Sequence, residues 1–236
     1  MPRSPSTQSS LPGLGERLGL LLDIETTRRA NNRLHRRIKS AHFPLQATIE
    51  DLDLSASRGL QRAQMLELAR GEWVGRHLNV LVLGATGTGK TYLSSALGRA
   101  ACEATFSVRY VRIPTQFARY WASRLLQTLD LAQADGSYTQ LLRSFSRFQL
   151  LILDDFLRDS LSRSQAQDLL EVIDDRYGRS ATLIATQVPV SDWHSRIPDP
   201  TLADSVLDRL IHNAYRLDLK GESMRKIHSP LQEVDN

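Results

Sequence analysis

The sequence predicts an α/β fold, a doubly wound parallel sheet built around a phosphate-binding loop, and three observations predict it. Gly84 to Thr91 read Gly-Ala-Thr-Gly-Thr-Gly-Lys-Thr directly after the apolar run Asn79-Val80-Leu81-Val82-Leu83, the strand-to-helix setting in which glycine-rich loops cradle phosphates. Gln149 to Asp155 read Gln-Leu-Leu-Ile-Leu-Asp-Asp, a second continuously apolar run, as expected of a strand buried on both faces. Between and beyond these runs, strand-length apolar segments alternate with helical patterns, the order that generates a parallel sheet.

The elements follow in order. Residues 1–12 are rich in Ser and Pro and read as a tail without regular structure. Leu14, Leu18, Leu21 and Leu22 recur at helical spacing and predict a short helical region. A basic helix follows, ending near Phe43-Pro44, where proline disfavours helical geometry in the residue before it. Thr48 to Leu54 read as a linker, and residues 59–74 as a further helix. After the phosphate loop and its helix come a strand over 108–113, a helix from Thr115, another around 138–146, and the strand ending in Asp154 and Asp155. Ser162-Arg163-Ser164-Gln165 has the form of a capping box opening a helix through Tyr177, and Ala181 to Thr186 form the next buried strand. The expected organisation is a tail (1–12), a small all-helical N-terminal domain with its linker (13–58) and a nucleotide-binding domain (59–236).

At 236 residues and 41% hydrophobic content, the chain holds one sizeable core plus a small appendage. No apolar run is long enough to span a bilayer and the first ten residues lack a signal core, so no membrane association and a cytoplasmic location are expected. The single cysteine, Cys102, excludes an intramolecular disulfide and a multi-cysteine metal site. Arginines number twenty-six against four lysines, with net charge +4, a balance that favours phosphate-bearing partners. Locally, residues 28–39 hold six Lys or Arg and no acidic residue. On a helix Arg29, Arg33 and Arg36 share one stripe, which suits a double-stranded DNA backbone, with a solvated cationic face as the other reading.

The chemistry explains the spacing. Gly84, Ala85, Thr86, Gly87, Thr88 and Gly89 would turn backbone N–H groups toward an anion, with Lys90, Thr91 and Tyr92 opening the helix whose positive dipole end faces the same point. A triphosphate such as ATP is the natural guest. Lys90 would reach its β- and γ-phosphates, and the Thr91 hydroxyl would ligate Mg²⁺. Asp154 is placed to support the metal and Asp155 to polarise an attacking water.

Beyond this loop, the chain resembles the IstB-like helper ATPases of bacterial insertion sequences, close to DnaC-type helicase loaders within the AAA+ superfamily. The resemblance rests on Ala41-His42-Phe43-Pro44, Thr48 to Asp53, Arg58-Gly59-Leu60, the phosphate loop, Ala134 to Tyr138 ahead of Leu150 to Asp155, Leu207-Asp208-Arg209-Leu210, and Lys220-Gly221-Glu222-Ser223-Met224-Arg225. It implies an AAA+ P-loop fold and three further roles. Arg209 matches the arginine finger that reaches a neighbouring subunit's nucleotide in a homo-oligomer. Arg225 matches the second sensor, contacting the phosphates of its own chain, and Gln187 occupies the first-sensor position, where the family usually has asparagine. The implied partners are double-stranded DNA and a cognate transposase, with a replicative helicase as the alternative. A P-loop kinase and a DNA-binding module switched by nucleotide are readings from other classes.

Overall fold

The computed structural model describes residues 14–54, 58–113 and 144–224. By its contacts the chain divides after Arg36. The N-terminal unit is the greater part of helix α1 (Leu14–Ala41), one uninterrupted helix of 28 residues. The sequence predicts two helical pieces here, yet nothing from Asp23 to Thr27 is Gly or Pro, so no residue supplies a break. Leu18, Leu21, Leu22 and Ile24 are exposed on it.

The larger unit continues with α2 (Arg62–Ala69) and α3 (Glu72–Gly75). The single helix expected over 59–74 is broken at Gly71, whose φ of +74° is left-handed and whose missing side chain lets Ala104 approach. Next come β1 (Asn79–Gly84), α4 (Lys90–Glu103), β2 (Val108–Arg112), β3 (Leu150–Asp154), α5 (Arg163–Arg176), β4 (Ala181–Thr186), α6 (Pro200–Ile211) and β5 (Ala214–Leu219). The helix expected from Thr115 lies outside the described residues, as does most of the one around 138–146, of which residues 144–146 are helical. The capping box is present: Ser162 and Gln165 satisfy each other's backbone N–H groups at the start of α5.

Among the described residues five strands form one parallel sheet, in the order β2-β3-β4-β1-β5. Because successive side chains point to opposite faces, each buried strand serves two layers. Leu81, Leu83, Leu151, Leu153 and Ile184 join the core that also holds Ile173 of α5 and Val206 and Leu210 of α6. Ile152 faces the other way, against α4, where a β-carbon on Gly98 would lie 2.6 Å from its Cδ1 and 2.6 Å from Phe43 Cε1. That close approach is why a glycine stands mid-helix despite its cost. The first core is closed by Trp193, fully buried, edge-on to Phe156 at 5.1 Å, with its indole N–H on the Val188 carbonyl.

β5 is the strand that the sequence reading leaves unassigned. Ala-Tyr-Arg-Leu-Asp-Leu alternates polar and apolar, burying Leu217 and Leu219 only, the pattern of an edge strand rather than of the continuous apolar runs beside it.

Candidate nucleotide site

Parallel topology carries every strand's C-terminal end to one edge of the sheet, where open α/β folds place ligands. The phosphate loop leaves β1 at that edge and the Asp154-Asp155 pair leaves β3 there. Gly87 (φ +86°) and Gly89 (φ +93°) take left-handed backbone, which residues with a β-carbon adopt at a cost. A side chain at Gly87 would also collide with Ser223. The loop is therefore a cradle that requires its glycines, and it fits a phosphate chain.

Lys90 is 8% exposed and folds back over the loop, its Nζ donating to the Gly84 and Ala85 carbonyls at 2.8 Å each. Burial lowers its pKa, Asp154 and Asp155 pull it back up, and Arg158 adds to the lowering. A cation so poorly hydrated gains from a phosphate anion. Thr91 Oγ1 donates to Asp154 Oδ2 at 2.8 Å, so the hydroxyl and carboxylate expected to hold Mg²⁺ already touch. Both are hard oxygen donors suited to that ion. Among the described residues no group of three or more His, Cys, Asp or Glu could hold a metal.

Asp154 is 1% exposed and fully engaged. Besides Thr91, its Oδ2 accepts the Tyr110 hydroxyl at 2.6 Å, and Oδ1 accepts the Asp155 N–H at 2.9 Å. Burial foremost, with Asp154 beside it, drives the Tyr110 pKa upward, keeping the phenol a proton donor. Asp155 sits at φ +57°, a conformation that costs about 1 kcal/mol or more outside glycine. Its Oδ2 accepts Arg112 Nε at 2.6 Å, and that hydrogen bond is the main reason the Arg112 pKa is raised. Gln187, at the end of β4, accepts a hydrogen bond from the Thr86 hydroxyl, which joins the end of that strand to the loop.

The structure thus brings Thr86, Lys90, Thr91, Asp154, Asp155 and Gln187 together. Tyr92 is partly buried in the first turn of α4. Arg209 lies elsewhere: its backbone carbonyl accepts from Asn79 at the start of β1, a strand's length from the loop at that strand's end. There its guanidinium pairs with Asp174 at 2.5 Å, bonds the Ser205 carbonyl and lies 5.9 Å from the Tyr177 ring. Arg225 lies outside the described residues. In the N-terminal unit Arg29, Arg33 and Arg36 are exposed on α1, and Arg29 pairs with Glu25 at 2.7 Å, an acidic neighbour just outside the basic run.

Sequence reasoning missed Tyr110 and Arg112. Tyr110 and Arg112 lie two residues apart and so share one face of β2, but only the pairing of β2 with β3 reveals which carboxylates they meet. It also missed how the C-terminal segment closes on the loop: the Met224 N–H donates to the Gly87 carbonyl at 2.9 Å.

A family model described as IstB-like ATP binding protein matches residues 3–231 of the chain. The chain is 45% identical over 211 residues to a protein of Sinorhizobium fredii named as an insertion sequence ATP-binding protein, covering 89% of this chain and 82% of that one. A second such protein of the same organism is 43% identical over 218 residues, covering 92% and 84%. Among solved structures, the DnaC helicase loader superposes with a TM-score of 0.58 at 19% identity, over 74% of this chain and 97% of that one. The fold is accordingly that of AAA+ P-loop proteins.

Proposed function

Since the chain belongs to the family of IstB-like ATP-binding proteins, we propose that it is a Mg²⁺-dependent AAA+ ATPase. In this reading it assembles on double-stranded DNA and assists a transposase in choosing its target and integrating. The observation that carries the ATPase half is the convergence of Lys90, Thr91, Asp154 and Asp155 at one sheet edge, with Thr91 and Asp154 in direct hydrogen-bond contact.

The division of labour follows from their chemistry. Lys90, drawn from the Gly84 and Ala85 carbonyls, neutralises the β- and γ-phosphates. Thr91 and Asp154 would hold Mg²⁺, which would supply charge stabilisation at the phosphate oxygens. Arg112 occupies Oδ2 of Asp155, so Oδ1 is the oxygen that polarises the attacking water, with the Gln187 amide helping to orient it. Arg225 adds charge from the same chain.

Arg209 is too remote to serve its own loop, which supports a role in trans at the nucleotide of a neighbouring subunit in a homo-oligomer. Hydrolysis then resets the assembly. Arg29, Arg33 and Arg36 supply phosphate contacts to DNA. The insertion-sequence relatives favour a transposase over a replicative helicase as the partner. Among the described residues no helix is long and apolar enough to cross a membrane.

The test is ATP binding and turnover with and without DNA. Lys90→Ala should lose tight binding, and Asp155→Asn should bind normally but fail to hydrolyse, locking the ATP-bound assembly. Equal ATP affinity in wild type and Lys90→Ala would sink the phosphate-loop assignment. Undiminished turnover by Asp155→Asn would remove Asp155 from the chemistry.

A further inference from the structure

Arg58, where the linker segment reaches the phosphate loop, is 8% exposed. Its Nη2 donates to the Thr88 carbonyl at 2.6 Å. Its Nε and Nη1 are buried without a hydrogen-bond partner among the described residues. Arg176 shows how this chain buries a structural guanidinium: Nε, Nη1 and Nη2 all donate, to Thr182 Oγ1 and to the Phe145, Phe148 and Ala181 carbonyls. Arg58 instead keeps a charge out of water on a single acceptor, an arrangement that costs stability. Orphaned buried donors are rare in native folds and call for a reason.

Two ties fix Arg58 independently of the loop. The Lys220 N–H donates to its carbonyl at 3.0 Å, and Gly59, left-handed at φ +72°, passes so close to β5 that a β-carbon would lie 2.7 Å from the Asp218 carbonyl oxygen. The guanidinium is thereby held against the Thr88–Gly89 peptide, where a β-carbon on Gly89 would lie 3.1 Å from Nη2. Among the described residues no peptide is cis, and in a trans peptide the C=O and N–H point in opposite directions. A Thr88 carbonyl turned toward Arg58 therefore turns the Gly89 N–H away from it.

We propose that Arg58 is a positioning residue of the phosphate site. Its guanidinium fixes and polarises the Thr88–Gly89 peptide so that the Gly89 N–H is presented to a polyphosphate, and its own uncompensated charge is offset by the bound anion. The ligand class is the polyphosphate of a nucleoside triphosphate, not its base, because the action passes through a loop N–H and a charge. The inference rests on reading Gly84 to Thr91 as the phosphate loop.

It follows that removing the charge has opposite effects with and without ligand. In Arg58→Met the nucleotide-free full chain should melt no lower than wild type, because an unsatisfied buried cation has been replaced by an apolar chain of similar length. Its affinity for both ATP and inorganic tripolyphosphate, measured by calorimetry, should fall about tenfold or more, the scale of one hydrogen bond to a charged group. Arg58→Gln should behave in the same direction, and Arg58→Lys should recover part of the affinity. A lower apo melting temperature in both Arg58→Met and Arg58→Gln would make Arg58 a structural residue and overturn the proposal, whatever the affinities do. Unchanged affinities would overturn it too, as would a loss for ATP with tripolyphosphate unaffected, which would move Arg58 to the nucleoside. Failure of the wild type to bind either ligand would instead overturn the phosphate-loop reading, and the role of Arg58 with it.

Discussion

Tyr110→Phe removes one oxygen from beside Asp154 and leaves the ring, whose edge contact with Phe43 at 6.3 Å survives. The lost hydroxyl donates at 2.6 Å to a carboxylate that is 1% exposed, a hydrogen bond to a charged group worth about 1.5–3 kcal/mol. At roughly 2–4 °C per kcal/mol for a domain of this size, the melting temperature should fall by about 3–12 °C. The larger consequence is for Mg²⁺. Asp154 Oδ2 has Thr91 and Tyr110 as its donors, and if Thr91 turns to the metal, Tyr110 alone keeps the carboxylate aimed. Loss of such an outer partner weakens metal affinity by about 10- to 100-fold. Titrating Mg²⁺ against binding of a fluorescent ATP analogue should therefore show half-saturation displaced upward by that factor. The displacement should persist from neutral to moderately alkaline pH, because the buried phenol stays protonated. A lower melting temperature with an unmoved Mg²⁺ midpoint would show that the hydroxyl only stabilises the fold.

Mixing Arg209→Ala with Lys90→Ala should restore ATPase activity that neither possesses alone, and Asp174→Asn, which frees the Arg209 guanidinium from its own-chain ion pair, should leave turnover intact or raise it. Absence of complementation between folded, co-assembling variants would return Arg209 to a structural role between α5 and α6. For DNA, replacing Arg29, Arg33 and Arg36 by Ala should flatten the slope of log K against log salt by about two to three units, at ~0.9 per phosphate contact. Because Glu25 pairs with Arg29, Glu25→Gln should strengthen DNA binding, and an unchanged slope in the triple variant would place the DNA surface elsewhere.

The local part of this protein was determined by sequence alone. The phosphate loop, the Asp154-Asp155 strand end and the capping box at Ser162 each rest on a few contiguous residues whose chemistry is short-range: glycines that permit left-handed backbone, an apolar run that must be buried, a hydroxyl that caps the N–H groups beside it. The parallel sheet also followed, because alternating strands and helices leave few other ways to cover two apolar faces. What only the tertiary structure decided is who meets whom across the sheet. That β2 lies beside β3 puts Tyr110 on Asp154 and Arg112 on Asp155. The docking of Arg58 on the end of β5 presses a largely unsatisfied cation against Thr88, and the packing of α6 on α5 sets Arg209 against Asp174, remote from its own loop. None of these pairs is near in sequence, and each is a single polar residue in a segment whose pattern is dictated by burial. Their roles arise from strand order and long-range closure, which hydrophobic periodicity does not encode.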